Sequence, residues 1–352
     1  MAFSIKKMKL KRILFILGAI VAVVFIAVIA SFYYVVYAPN VKLDGKESTI
    51  VFIPTGSHYE DVLEILTEEG IVSNIRTFSW LAEQKNYPAR VMPGRYRIYS
   101  GTGNNSLINL LRSGEQEAVR LTFTNIRTKE QLSGILAAQL ETDSMSILQM
   151  LREPDRFTTM GLDTLTGILL FIPDTYEVYW TIGVDGLLAR MHREYEAFWN
   201  DARRARAVQI GLSPVEVGIL ASIVQSETSK REENARIAGV YMNRLQRNIP
   251  LQADPTVIFA TGDFNIRRVL NRHLAIDSPF NTYMYSGLPP GPITLPEPHV
   301  LDAVLHYENH NYLYFSAKPD FSGYHVFART YQEHLANARR YRQALNELNV
   351  FR

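Results

Sequence analysis

Between Ile13 and Ala38 the chain carries no charged side chain, and no acid occurs before Asp44. The run is rich in Ile, Val, Phe and Ala. About 24 helical residues at about 1.5 Å each span roughly 36 Å, enough to cross a bilayer with some tilt. Lys6, Lys7, Lys9, Lys11 and Arg12 precede it. Such a basic flank stays in the cytoplasm and sends the chain beyond the apolar run to the other side. Tyr33, Tyr34 and Tyr37 fall near the far end, where an aromatic belt lies. Val28-Ile29-Ala30 offers a weak cleavage site, but the apolar run exceeds a typical signal core. Residues 1–12 therefore read as a cytoplasmic basic tail and residues 13–38 as a retained single-pass transmembrane helix.

The basic tail also explains the overall charge. The 352 residues sum to +2, and without those five cations the remainder carries about −3. The basic excess is local, so nothing points to nucleic acid as a partner. The absence of cysteine excludes disulfides, thiolate zinc sites, a cysteine nucleophile and a lipidated-cysteine anchor. The length leaves room for about two domains beyond the anchor.

Beyond a short polar connector at 39–48, residues 50–54 read as a strand. Residues 59–69 read as an amphipathic helix closed by Gly70, and residues 76–85 as another helix. A turn at Pro93-Gly94 leads into a second strand, and residues 106–111 form a helix ending near Gly114. Residues 48–120 are thus a small α/β module. Gly101-Thr102-Gly103 lacks the remainder of a phosphate-binding loop and reads as a turn. Residues 121–205 form a mostly helical connecting region with one long helix expected over 184–205. Residues 206–352 hold the densest set of chemically useful side chains, closed by a packing helix over 331–348.

Ser213-Pro214-Val215-Glu216 is a strong helix start, with a serine cap, proline at the first position and a glutamate to close the capping box. Along that helix Leu220, Ile223, Val224 and Glu227 recur at spacings of three and four, so Glu227 extends an apolar stripe. A carboxyl held against apolar side chains keeps its proton toward neutral pH, as a general acid requires. The competing reading ends the stripe at the rim, with Glu227 paired to Lys230 or Arg231. Further on, Leu251-Gln252-Ala253-Asp254-Pro255-Thr256, Ser278-Pro279-Phe280-Asn281-Thr282-Tyr283 and Gly287-Leu288-Pro289-Pro290-Gly291-Pro292-Ile293 are stiff loops bearing amides, hydroxyls and rings. Such surfaces suit sugars, although each loop is also ordinary turn chemistry with Asp254 as a local cap. His306 and His310 have the spacing of a metal pair but no third ligand, so no metal or other cofactor is expected. No Gly-x-Ser-x-Gly elbow is present, which argues against a serine hydrolase.

These motifs resemble those of the membrane-anchored endolytic murein transglycosylases of the MltG/YceG type. The resemblance rests on residues 220–228 (Leu-Ala-Ser-Ile-Val-Gln-Ser-Glu-Thr), Val240-Tyr241-Met242-Asn243-Arg244-Leu245 and the three loops above. Phe171-Ile172-Pro173-Asp174-Thr175-Tyr176, Tyr312-Leu313-Tyr314-Phe315 and His325-Val326-Phe327 extend it over nearly all of the chain after the anchor. The resemblance implies an α+β ectoprotein with a LysM-like module over 48–120 and a catalytic domain over 206–352. It also implies that the last glutamate of a Glu-Lys-Glu-like triplet is catalytic, which is Glu227 here. The triplet's first position is Gln225 in this chain, so Glu227 is the one carboxylate left in the motif. The Phe-Ile-Pro-Asp-Thr-Tyr match carries an extra Ile172, and Thr166-Gly167 stands where the family often has Glu-Gly.

On that resemblance Glu227 protonates the bond between N-acetylmuramic acid and N-acetylglucosamine in peptidoglycan, then takes the proton of the sugar's own 6-hydroxyl. A 1,6-anhydro end results and no water is consumed, so one carboxylate suffices where ordinary glycosidases need two. Gln252, Asp254, Asn281 and Tyr283 are expected to bind the glycan. Implied partners are peptidoglycan strands and peptidoglycan synthases, at a bacterial inner membrane with the catalytic domain facing the periplasm or cell exterior. Two alternatives make different expectations: a non-catalytic anchored glycan-binding scaffold, with Glu227 exposed beside Lys230, and a hydrolase pairing Glu227 with Asp254.

Overall fold

The computed structural model describes residues 2–347; Leu348, expected at the end of the last helix, lies outside the described residues, as do the side chains ahead of Leu10. The fold is mixed α+β and divides into two compact units. The first holds the chain up to Val119 together with Val178–Thr181, and the second holds Arg120–Glu177 and the chain from Ile182 onward.

The first unit begins with α1 (Ala2–Tyr37), whose segment Leu10–Tyr37 is long and apolar enough to cross a membrane, with none of its most apolar stretch buried against protein. A small module comes next, in the order β1 (Ser48–Ile53), α2 (Tyr59–Glu68), α3 (Ile75–Gln84), β2 (Gly94–Tyr99) and α4 (Asn104–Ser113). β1 and β2 are antiparallel, with Ser48 opposite Tyr99 and Ile53 opposite Gly94. Alternation turns Tyr96 and Ile98 into a core with Val51, Val62, Leu66, Phe78 and Leu107, and leaves Arg95 and Arg97 on the other face. Both arginines pair with Glu117, and Arg97 above all holds that carboxyl down at about 2. α4 stops where Gly114 turns left-handed at φ 75°.

The segment expected to be a polar connector is instead folded into this module. Asn40 is buried, its amide donating to Asn74 O and to Asn104 Oδ1, while its Oδ1 accepts from Asn74 N. Pro39 bridges Gly103 and Val41 bridges Val72. A buried amide with all its hydrogen bonds made fixes the chain more firmly than its polar composition suggests.

The second unit takes all but the first residue of β3 (Val119–Thr122) and all but the last of its partner β4 (Thr175–Val178), and α5 (Lys129–Ala137), α6 (Ser144–Arg152) and α7 (Asp155–Thr158) lie between them in sequence. The long helix expected over 184–205 is two helices, α8 (Val184–Phe198) and α9 (Asp201–Gln209). Asn200 breaks it by turning extended and capping α9, its side chain accepting from Arg203 N at 3.0 Å. α10 (Pro214–Glu227) then starts with the full capping box between Ser213 and Glu216 and packs against α11 (Asn234–Gln246), α12 (Asp254–Thr261) and α14 (Pro298–Leu305). α13 (Asn271–Leu274) lies between the last two. Every residue of α10 from Val217 to Val224 is buried, so the expected stripe is one part of a helix that is apolar all round. The hairpin of β5 (Tyr314–Ala317) and β6 (His325–Ala328), followed by α15 (Tyr331–Glu347), completes the unit.

α14 ends at Leu305, so His306 and His310 share no helix face. His310 Nε2 lies 2.9 Å from Arg236 O, bringing the loop after α14 onto α11. Gly239 makes this approach possible: a Cβ there would meet Glu308 O at 2.4 Å and His310 Nε2 at 2.7 Å. Gly239→Ala is therefore expected to destabilise by about 1–3 kcal/mol through overpacking. This will be read as a lower urea midpoint with unchanged m; an unchanged or higher midpoint would contradict it.

Candidate active site

Glu227 is the last residue of α10 and is half-buried. Its Oε1 accepts a 2.5 Å hydrogen bond from the Tyr241 hydroxyl on α11. Burial pushes the Glu227 carboxyl up to about 7, and the nearby Asp254 pushes in the same direction. The Tyr241 bond and the Arg244 charge oppose the rise without cancelling it. Neither expected cation pairs with Glu227: Lys230 lies over the Tyr324 ring and Arg231 lies near Glu297. The Tyr241 phenol is itself driven well above its ordinary range, so it stays a donor.

Arg244, one turn along α11 from Tyr241, is buried and tied to backbone. It donates to Leu313 O, Pro250 O and Leu251 O, and its guanidinium lies 5.0 Å from the Tyr314 ring centre. It therefore joins the 250–251 loop and the β5 approach to the helix that carries Tyr241. Tyr241 is backed in turn by Phe315, whose ring meets it edge-on at 6.0 Å.

Two of the three expected sugar-binding loops form one hydrogen-bonded structure. Gln252 N donates to Thr282 O, Ala253 N to Thr282 Oγ1, and the hydroxyls of Thr256 and Thr282 lie 2.8 Å apart, all buried except the first. That framework sets the Tyr283 hydroxyl on Asp254 Oδ1 at 2.6 Å. Asp254 and Gln252 are exposed, and Gln252 holds a left-handed backbone at φ 51°. Asn281 is fully buried and its amide donates to Leu274 O and Ile276 O, while Oδ1 accepts from Tyr283 N. Its polar atoms are thus occupied in shaping the loop.

A cleft of about 840 Å³ opens beside Glu227. One wall is the end of α10 with Gln225, Ser226 and Thr228, another is Thr294, Glu297 and His299, and a third is Asn125, Arg127, Thr128 and Gln131. None of Gln252, Asp254, Asn281 and Tyr283 lines it, although Asp254 pushes the Glu227 carboxyl up and Tyr283 senses the Glu227 charge. The 293–297 segment is stitched on both sides. Ser222 Oγ accepts from Ile293 N, and Ile126 O accepts from Thr294 Oγ1 and Leu295 N. Gln225 donates to Leu295 O and accepts from Glu297 N. A glutamate at 225 could not donate to that carbonyl, so the departure at this position has a structural use.

Tyr241 and Arg244 were visible in the sequence only as members of a motif, without a role. The wall from residues 125–131 had no signal in the connecting region at all. Its placement depends on contacts 168 residues apart, such as Thr294 with Ile126.

A profile described as the YceG-like family matches residues 51–340, and the chain belongs to that family. Among its relatives is the protein named endolytic murein transglycosylase of Bacillus subtilis strain 168. It is 28% identical over 330 residues, covering 87% of this chain and 88% of the relative. A protein of the same name from Streptococcus pneumoniae strain D39 is 26% identical and covers 79% of this chain; the match spans 55% of that relative. The crystal structure of a yceG-like protein from Listeria monocytogenes superposes with a TM-score of 0.55 at 25% identity. The match covers 83% of this chain and 99% of the other.

The raised Glu227 carboxyl ties stability to pH. In the fold it binds a proton up to about pH 7, and an ordinary glutamate does so only up to 4.5. The folded state's proton-binding advantage is fully present below the lower value and is lost as pH rises through the upper one. Glu227→Gln, which does not titrate, is expected to gain stability over the native protein between pH 5 and pH 8. Allowing for partial exposure, the gain is about 1–3 kcal/mol. Urea unfolding at the two pH values checks this, and a difference independent of pH would contradict it.

Proposed function

We propose that this chain is an endolytic lytic transglycosylase, a carbon–oxygen lyase that cuts the N-acetylmuramic acid–N-acetylglucosamine bond within nascent peptidoglycan. The observation that carries the reading is a carboxyl held near pKa 7 at the wall of a large cleft, with a phenol fixed on it. The names of the Bacillus and Streptococcus relatives supply the substrate class.

In this reading protonated Glu227 gives its proton to the glycosidic oxygen as the bond to the anomeric carbon breaks. The carboxylate left behind is held by the Tyr241 hydroxyl and the Arg244 charge, the two influences that favour its ionised form. It then accepts the proton of the muramyl 6-hydroxyl, whose oxygen bonds to the anomeric carbon and closes a 1,6-anhydro ring. Glu227 regains its proton and no water enters. A group whose pKa lies near the working pH can serve both steps. Gln252, Asp254 and Tyr283 position the glycan, and Asn281 acts through the Tyr283 loop.

The remaining parts fit the same reading. α1 is the anchor in the bacterial inner membrane, its basic end cytoplasmic and the small module and the second unit on the periplasmic or outer side. The compact βααβ core of residues 48–99 supports a LysM-like glycan-binding module. Such a placement suits strands leaving the membrane, with the synthases that make them as partners. The scaffold alternative is weakened because Glu227 is half-buried at a cleft and bonded to Tyr241, not exposed beside Lys230.

Digestion of purified peptidoglycan, with mass spectrometry of the new ends, tests the reaction. Anhydro ends are expected from the native protein. Glu227→Gln should cut slower by a factor on the order of 10²–10⁴. Hydrated reducing ends would overturn the proposal in favour of a hydrolase using Asp254, and binding without cleavage would favour the scaffold. A second expectation concerns pH. The rate kcat/KM should fall as pH rises through about 7, and Tyr241→Phe, which removes a bond favouring the carboxylate, should move that limb to higher pH. A limb that stays put would separate Tyr241 from the titrating group.

A further inference from the structure

The anchor is not a loose tether. Its last turn and the residues that follow are built into the small module: Val36 is buried, Asn104 Nδ2 donates to Val35 O at 2.8 Å, and Asn40 N and Val41 N both donate to Thr102 O. Gly103 lies so close that a Cβ there would meet Tyr37 O at 2.7 Å. The depth of α1 in a bilayer therefore fixes the depth of the module's near side.

That depth can be counted. With Lys11 and Arg12 held at the inner headgroups, the 20 residues from Ile13 to Phe32 rise about 30 Å, the thickness of the hydrocarbon layer. The outer boundary falls at Phe32, and Tyr33, Tyr34 and Tyr37 reach the headgroups, where aromatic rings with a polar end are favoured. At this level a groove of about 520 Å³ runs between α1 and α3, lined by Ser31, Phe32, Val35, Arg76, Thr77 and Trp80 among others. Trp80 is exposed on α3 and meets Phe32 edge-on at 6.2 Å. Among the described residues its indole N–H has no hydrogen-bond partner, and no carboxylate pairs with Arg76. An unpartnered indole and an unpaired guanidinium beside an apolar groove, all at the outer boundary, match a phospholipid: acyl chain in the groove, ester carbonyl on the indole, phosphate on the arginine.

We propose that the module docks on the outer leaflet, with the groove between α1 and α3 occupied by a phospholipid of the bilayer through Trp80 and Arg76. The inference rests on α1 being the anchor, and it adds that α3 is a membrane-contacting helix. The module is then held flush with the membrane, so the glycan it meets is the part nearest the surface.

The chain has no cysteine, so a single introduced cysteine carries a single nitroxide. The full chain is reconstituted in vesicles of phosphatidylethanolamine and phosphatidylglycerol and labelled in turn at Val24→Cys in mid-helix, Trp80→Cys, and Ser57→Cys in the turn beyond the far end of β1. Collisions with dissolved oxygen report lipid, and collisions with a water-soluble nickel chelate report water. The label at 80 is expected to lose most of the nickel collisions seen at 57 while keeping oxygen collisions, as the label at 24 does. Nickel collisions at 80 equal to those at 57 would overturn the docking. Shielding from both reagents would overturn it in favour of a protein occupant, such as a second copy. Nickel collisions at 24 would remove the anchor and the docking with it, whereas lipid at 24 and water at 80 removes the docking alone. Arg76→Cys gives the same readings if Trp80→Cys does not fold.

Discussion

The hydrogen bond from Tyr241 to Glu227 is the interaction around which the second unit is arranged. It joins the end of α10 to the middle of α11, and it sets a carboxyl where carboxylates are disfavoured. Burial removes water from it, the negative end of the α10 dipole opposes its charge, and Asp254 adds like charge nearby. Tyr241 and Arg244 return part of that loss to the ionised form. The balance is a group that can both give and accept a proton near neutrality. A fully apolar setting would keep the proton too firmly, and an exposed one would give it up at about 4.5.

Most of the remaining structure holds this pair in register. α10 is buried on every side, so its end cannot rotate without disturbing α11, α12 and α14 at once. Arg244 ties α11 to the 250–251 loop and to Leu313, and Phe315 backs Tyr241 from the hairpin. A buried carboxylate, Glu233, fixes the other strand of that hairpin by accepting from both His325 N and its ring at 2.8 Å. Gln225, Ser222 and Ile126 hold the opposite side of the cleft to the same helix. The cleft is therefore a consequence of how the core closes around α10.

What could be read from the sequence followed the range of the interactions. The apolar run, the capping box of Ser213 and Glu216, the strand at β1 and the helix stop at Gly114 are local, and they lie close to where the pattern puts them. Glu227 stands out in the sequence because helical spacing and the family motif both point to it. The break at Asn200 was missed because an apolar rhythm continues across it while one side chain quietly caps the next helix. Asn281 looked like a ligand contact, yet its amide is spent on Leu274 and Ile276. Asn40 looked like linker and is core. Polar side chains read alike in sequence whether they face a ligand or close a loop. The wall at residues 125–131 depends on pairings that no local pattern carries.

The chemistry proposed for the cleft depends on Glu227 keeping its proton to about pH 7. Its carboxyl carbon can be followed directly by NMR in protein labelled with ¹³C-glutamate, the Glu227→Gln protein identifying the signal. A midpoint near 7 is expected. A midpoint near the ordinary glutamate value of about 4.5 would contradict it and would leave the cleft without its acid.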